Sequence, residues 1–244
     1  MKEVINNSSV NLYLNKSDKI TLILETNKVK IDYSLDNGEY NILIFNNING
    51  PVEITETGKI INSTVSITYI DLNNFNFKQV NELQVYKDST LNIHSIYLGI
   101  NSKDIRFDIT NMEFNSLVEI TNNVVALDDA DFCMDVIGNI KKGAKNSKCH
   151  QSSRCLTFGV PKKAKILPVL NIDENDVEAS HSLSSGTIDE NVLFYMNSRG
   201  LTKKDSLKLL LVSYLMPDED FYKGFDSLEL KEIADRKVSE ACSM

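Results

Sequence analysis

From Val10 to about Ile172 the chain alternates apolar and polar residues in short runs, and a period of two marks extended strands with one buried face. Val52-Glu53-Ile54-Thr55, Val65-Ser66-Ile67-Thr68-Tyr69-Ile70, Leu91-Asn92-Ile93-His94 and Ile105-Arg106-Phe107-Asp108-Ile109 all follow it. The runs recur roughly every 10 to 12 residues with Asn, Asp, Ser and Gly between them, which fits a sandwich or a β-solenoid. Periodicity alone does not separate the two. Strict hexapeptide or nonapeptide repeats are absent, but an irregular solenoid needs only rungs whose inward Ile, Val, Leu and Phe stack in columns. The Asn-rich connections suit tight corners, because Asn tolerates the left-handed backbone region better than most residues.

After Gly186 the pattern changes, which divides the chain into a β core over residues 1–186 and a helical subdomain over 187–244. Thr187-Ile188-Asp189-Glu190 has the form of a capping box, Leu193, Phe194 and Met196 supply apolar surface, and Gly200 is placed to end the helix. Thr202-Lys203-Lys204-Asp205 is a weaker cap before Leu207, Leu210, Leu211 and Tyr214, and Pro217 stops that run. Asp226-Ser227-Leu228-Glu229 opens a third helix with Leu230, Ile233 and Val238 on its apolar face. The Leu stripe reads as a face packed on neighbouring helices.

Composition removes several function classes. A net charge of −8 disfavours a general grip on nucleic acid or anionic lipid, which needs Lys and Arg to displace counterions. The start, MKEVINNSSVNLYL, is too polar for a secretion signal and no run of about 18 apolar residues occurs, so a cytoplasmic protein is expected. Cys133, Cys149, Cys155 and Cys242 are far apart and form no CxxC pair, which argues for reduced thiols over a disulfide framework or zinc knuckle. No GxxxxGK[ST] loop is present, so no nucleotide is expected on this chain.

The segment PVLNIDENDVEASHSLSSGTIDENVLFYMNSRGL, residues 168–201, resembles the core of the SufB/SufD family. The matching elements are Pro168, Leu170 and Ile172; Asp176, Val177 and His181, read as a turn; Gly186, Ile188 and Asp189; and Phe194, Tyr195, Met196, Ser198, Arg199 and Gly200. Residues 1 to about 130 match only in style. The resemblance implies a right-handed parallel β-helix with a C-terminal α-helical subdomain. It implies a scaffold of the SUF iron-sulfur cluster assembly system and not an enzyme. Such a scaffold pairs with itself or a SufB-like subunit through the β-helix and binds the ABC-type ATPase SufC through the C-terminal helices. A transient iron-sulfur cluster would form at the subunit junction. Family members usually carry an N-terminal helical region, and this chain begins directly in strands, as a minimal core would.

His181 is the resemblance's candidate iron ligand, since imidazole ligates metal through one nitrogen while the other is held; a structural histidine bonding the end of the solenoid is the plainer alternative. The Cys that SufD-like turns often carry two residues earlier is Ala179 here, the Glu that follows the His in SufB-like chains is Ser182, and the SufB interface Cys falls on Ser153. Cys155 and Cys149 share a strand face with Ser153, which makes them candidate thiolate ligands, although a free strand Cys is commonly a small buried hydrophobe. Phe194, Tyr195, Arg199 and Gly200 are the candidate partner-binding residues. A simpler role is also open to them, with the aromatics packing the helix on the solenoid, Arg199 bonding helix-terminal carbonyls and Gly200 supplying the turn. Two other functions compete: a structural oligomeric spacer without cluster chemistry, and a β-helix carbohydrate-active enzyme using Asp128, Asp129 and Asp131.

Overall fold

The structure is a computed structural model that describes residues 2–5, 9–14, 16–216 and 227–241. The expected helix stop at Pro217, the cap residue Asp226, and Cys242 lie outside the described residues. The strands are β1 Lys2–Ile5, β2 Ser9–Leu12, β3 Lys19–Leu24, β4 Lys28–Asp36, β5 Glu39–Asn46, β6 Val52–Ile61, β7 Thr64–Asp71 and β8 Phe77–Val85. They continue as β9 Thr90–Gly99, β10 Ser102–Asn111, β11 Leu117–Ala126, β12 Asp131–Ile140, β13 Ser147–Thr157, β14 Lys163–Ile172 and β15 Val177–Thr187. Three helices follow, α1 Glu190–Ser198, α2 Lys203–Leu215 and α3 Ser227–Ala241.

Odd strands form one sheet in the order β1-β3-β5-β7-β9-β11-β13-β15, and even strands form the other, β2 to β14. Every pairing is parallel, so the chain coils as a β-solenoid in which each turn adds one strand to each sheet. Residue 28 pairs with 53, 53 with 78, 78 with 104, 104 with 133 and 133 with 165, so the rungs lengthen toward the C-terminus. This drift explains why no strict repeat is visible in the sequence. Of the segment Asp176–His181, expected as a turn, Val177–His181 is the start of β15, because its backbone completes the last rung against β13.

The corners form a second repeat. Asn37, Asn62, Asp88, Asn115 and Asn146 all have positive φ, between 46° and 56°, at equivalent corners of successive rungs. Asn115 Nδ2 donates to Asp88 Oδ1 at 3.0 Å, and Asn62 Nδ2 donates to Asn37 Oδ1. Each residue thus accepts a backbone conformation most L-residues avoid and ties its corner to the next. A serine follows at Ser63, Ser89, Ser116 and Ser147, with the Ser116 and Ser147 hydroxyls 2.9 Å apart.

The inward side chains make one continuous core that includes Ile42, Ile67, Ile93, Ile120 and Phe107. In β5, β7, β9 and β11 the strict alternation ends halfway, and the second half of each strand is buried on both faces. There Leu43, Phe45, Ile70, Ile96, Leu98 and Val125 face outward into a second core with Leu207, Leu211 and Leu215 of α2 and Leu230, Ala234 and Val238 of α3. The Leu stripe of α2 therefore packs on the sheet as well as on a neighbouring helix. Thr202 caps α2 by accepting from Asp205 N. At α1 the cap is Asp189, which accepts from Asn191 N, and Thr187 is instead the last residue of β15, held in register with Thr157.

Two clusters built on ionisable side chains sit deep inside the described residues. Lys103 and Asp71 form an ion pair with side chains 0% and 2% exposed, completed by Lys103 Nζ donating to Asn73 O and Asn46 Nδ2 donating to Asp71 Oδ1. Glu56 accepts from Tyr33 OH at 2.8 Å, from Tyr69 OH at 2.5 Å and from Asn81 Nδ2. Burial raises the Glu56 carboxyl above its usual range, although these three donors pull it down.

Lys103→Met is expected to cost about 3–5 kcal/mol, because it leaves Asp71 charged and unpaired, while Lys103→Met with Asp71→Asn costs much less. Urea unfolding of the two variants checks this. For Glu56 the folded pKa exceeds the unfolded one, so the unfolded chain loses this proton first as pH rises. Its contribution to stability is therefore present below the unfolded value and is lost through the folded value. Glu56→Gln should reduce the fall in stability above about pH 4.5 relative to wild type, measured as unfolding midpoints across pH.

Candidate functional site

The parallel ladder ends at β14 and β15, whose outer edges have no neighbouring strand among the described residues. Inward side chains that would be covered by a further rung are therefore open: Ile172 is 46% exposed and Leu183 45%. Val177 and Ala179 pack on the interior core, so strand alternation puts His181, Leu183 and Ser185 on that same inner row. His181 is exposed there, at the mouth of the solenoid.

Behind it on β13 the inner row is Cys149, Gln151, Ser153 and Cys155, all buried. Gln151 is the lateral partner of His181, Cys149 of Ala179 and Cys155 of Ser185. From a strand spacing of ~4.8 Å and a rise of ~3.3 Å per residue, the His181 and Cys149 backbones lie about 8 Å apart, and Cys155 lies farther along. The two thiols thus share a face, as their spacing requires, and that face is the core. Burial pushes the Cys149 thiol up to about 12 and raises that of Cys155. Gly138 of β12 makes room for this row, since a Cβ there would come within 2.6 Å of Cys149 Sγ.

Gln151 Nε2 donates to Val169 O at 3.2 Å, but its buried Oε1 has no hydrogen-bond partner. Ser153 ends a polar row inside the solenoid: Ser95 Oγ donates to Asn122 Oδ1 at 2.6 Å, and Asn122 Nδ2 donates to Ser153 Oγ at 2.9 Å. Neither this row nor the orphan Gln151 acceptor is apparent without the rung register. Among the described residues no group of three or more His, Cys, Asp and Glu side chains is placed to hold a metal. One imidazole at the mouth and two protonated thiols behind it are therefore an incomplete ligand set among the described residues.

Helix α1 stands beside this end. Phe194 and Tyr195 are 75% and 58% exposed, and only Leu193 of the helix is buried, which corrects the expectation that the aromatics pack the helix on the solenoid. The physical reason is that Leu193, with half-buried Met196, takes the inward face. Arg199 lies over the Tyr195 ring at 5.3 Å and its Nη2 donates to Tyr195 OH, rather than to terminal carbonyls. Gly200, at φ 94°, supplies the left-handed turn into α2.

The acidic cluster has local duties. Asp128 Oδ1 accepts from Val160 N at 2.6 Å, and Asp129 pairs with Lys162 at 3.3 Å. Cys133 lies on the outer face beside Lys163, whose ammonium it holds above the usual lysine range. No helix of the described residues is long and apolar enough to cross a membrane.

Comparison with known proteins supplies the family. The family model described as "SUF system FeS cluster assembly, SufBD core domain" matches residues 36–214, well over half of the chain. The chain is 30% identical over 140 residues to the iron-sulfur cluster assembly protein SufD of Bacillus subtilis, covering 56% of this chain and 32% of that one. It is 24% identical over 131 residues to SufD of Escherichia coli, covering 52% and 31%. It is also 28% identical over 102 residues to an iron-sulfur cluster assembly SufBD family protein of Mycobacterium tuberculosis, covering 42% and 12%. The chain thus spans a third or less of the length of these relatives. The match begins well before the stretch that resembles the family by eye.

The thiols can be ranked by chemistry. With a thiolate as the reacting form, iodoacetamide at pH 8 should label Cys133 in the native protein well before Cys149 and Cys155, and all three after unfolding. Peptide mass spectrometry of timed samples checks the order; equal native labelling of Cys149 would show that its burial is not maintained.

Proposed function

Because the chain belongs to the SufBD core family of the SUF iron-sulfur cluster assembly system, we propose that it is a scaffold subunit that pairs through its open last rung and carries a nascent cluster at the junction. The observation that carries the reading is the end left open among the described residues, where His181 and Leu183 on β15 and Ile172 on β14 are presented on inner rows that packing would otherwise bury. A second scaffold subunit, either another copy or a SufB-like chain, covers that end and adds the ligands that the described residues do not supply. In this reading residues 1–186 serve pairing, and residues 187–244 dock a SufC-like ATPase through Phe194, Tyr195 and Arg199. The cluster is cargo, and the scaffold itself performs no turnover.

The pairing logic is chemical. Iron held for assembly needs soft or borderline ligands, and imidazole at a junction contributes one without being sealed in the core. Cys149 is the nearer thiol by register, but it serves only if the last rung opens or the junction lowers its pKa. A spacer without cluster chemistry is favoured by one observation, the burial of both inner thiols, and the same experiment separates the two readings.

The test is anaerobic copurification with the SUF ATPase of the same organism, followed by iron and sulfide analysis. His181→Ala is expected to retain pairing and ATPase binding and to lower bound iron and sulfide several-fold. Undiminished cluster loading by an intact assembly would leave the spacer reading. Phe194→Ala with Tyr195→Ala is expected to weaken ATPase binding at least tenfold, as exposed aromatic anchors at an interface do. Deleting the helices is a poor substitute, because it would bare Ile70, Ile96, Leu98 and Val125 on the sheet.

A further inference from the structure

Between the outer face of β13 and helices α1 and α2 runs a groove of about 330 Å³. Leu156, Ile188, Val192 and Leu210 give it apolar walls, and Arg154 and Tyr214 stand at its lining with the Arg154 guanidinium 5.1 Å from the tyrosine ring centroid. Among the described residues Arg154 has no carboxylate partner, whereas Lys148 on the same strand pairs with Glu178 at 3.0 Å. Its lateral neighbour on β11, Asn123, is 1% exposed and its Nδ2 has no acceptor. Two donors therefore lie side by side on this face, and the carboxylate that lines the groove, Asp189, is already engaged with Asn191 as the cap of α1, in a chain of net charge −8. A stacked arginine keeps its charge and loses little freedom on pairing, which is the chemistry of a carboxylate receptor.

We infer that this groove receives an acidic-apolar segment of the protein partner that docks on α1, with a partner carboxylate on Arg154 and the adjoining apolar side chain between Val192 and Leu210. The inference rests on the reading of α1 as a docking helix, and it adds the groove and the partner's charge. Val192 links the two surfaces, being a groove wall one helical turn from Tyr195. The ring of Tyr214 holds the guanidinium in place, so that it need not be ordered at the moment of binding.

The experiment uses the full chain and the SUF ATPase of the same organism, with affinity measured by calorimetry at 50 and 500 mM NaCl. Arg154→Gln, confirmed folded by circular dichroism and an unchanged melting point, is expected to weaken binding at least fivefold at low salt. The loss should shrink at high salt, where a charge pair is screened. Arg154→Lys should recover part of the affinity. A loss below fivefold, or one that persists in full at 500 mM NaCl, overturns the carboxylate pairing. The Phe194→Ala, Tyr195→Ala variant distinguishes the two failures. If it weakens binding while Arg154→Gln does not, α1 docks and the groove is unused; if neither weakens binding, the docking reading fails as well.

Discussion

The constraint on which everything else depends is the parallel, in-register hydrogen bonding of one rung to the next. A strand inside the stack is satisfied on both edges, and its side chains fall directly over those of the neighbouring rung. Like can therefore stack on like, as isoleucine does through Ile42, Ile67, Ile93 and Ile120 in the core and asparagine does through Asn37 and Asn62 at the corner. The rule cannot be met at an end. Among the described residues the last rung has no strand beyond β14 and β15 and no row above its inner side chains, and such an edge is a template for pairing with another chain. The position of the candidate site is thus a consequence of how the fold propagates.

The interior is not wholly apolar. Glu56, Asp71, Lys103, Asn122 and Gln151 all point into it, and most of their polar atoms find partners on adjacent rungs. Such contacts add little net stability, since desolvation offsets the attraction. Their effect is on register. A slip of one residue would send Glu56 to solvent and leave the Tyr33 and Tyr69 hydroxyls buried without their acceptor. Because rung length drifts along this chain, apolar columns alone would tolerate more than one alignment, whereas these hydrogen bonds are satisfied in one.

Much of the architecture was legible in the sequence, and the parts that were not have specific causes. Alternation located the strands and the C-terminal caps located the helices, but alternation could not choose between sandwich and solenoid. The choice was present in the corners: Asn62-Ser63, Asp88-Ser89, Asn115-Ser116 and Asn146-Ser147 recur at the rung length, each opening a left-handed turn. The continuous apolar halves of β5 and β9, such as Ile42-Leu43-Ile44-Phe45 and Ile96-Tyr97-Leu98, were likewise a sign of burial on both faces. They announce the helices that cover them. Thr187 was misplaced as a cap because its local pattern competes with a strand pairing that only the register reveals. Exposure of Phe194 and Tyr195 was not legible at all, since helical spacing allows either aromatic to face the core.

The candidate ligands illustrate the remaining gap between sequence and chemistry. Spacing along β13 correctly put Cys149, Ser153 and Cys155 on one face, but it cannot say whether that face looks inward or outward. The rung register decides it, and the decision reverses the chemistry: a thiol on the outer face, like that of Cys133, is available as a nucleophile, while Cys149 is held protonated by the core around it. His181 escapes this fate only because its inner row belongs to the last rung. A neutral imidazole keeps a lone pair for a metal, so it suits an exposed end better than a thiol prone to oxidation. On the proposed reading, whatever completes the site comes from across the open end, and the same exposed edge that bares His181 lets another subunit reach it.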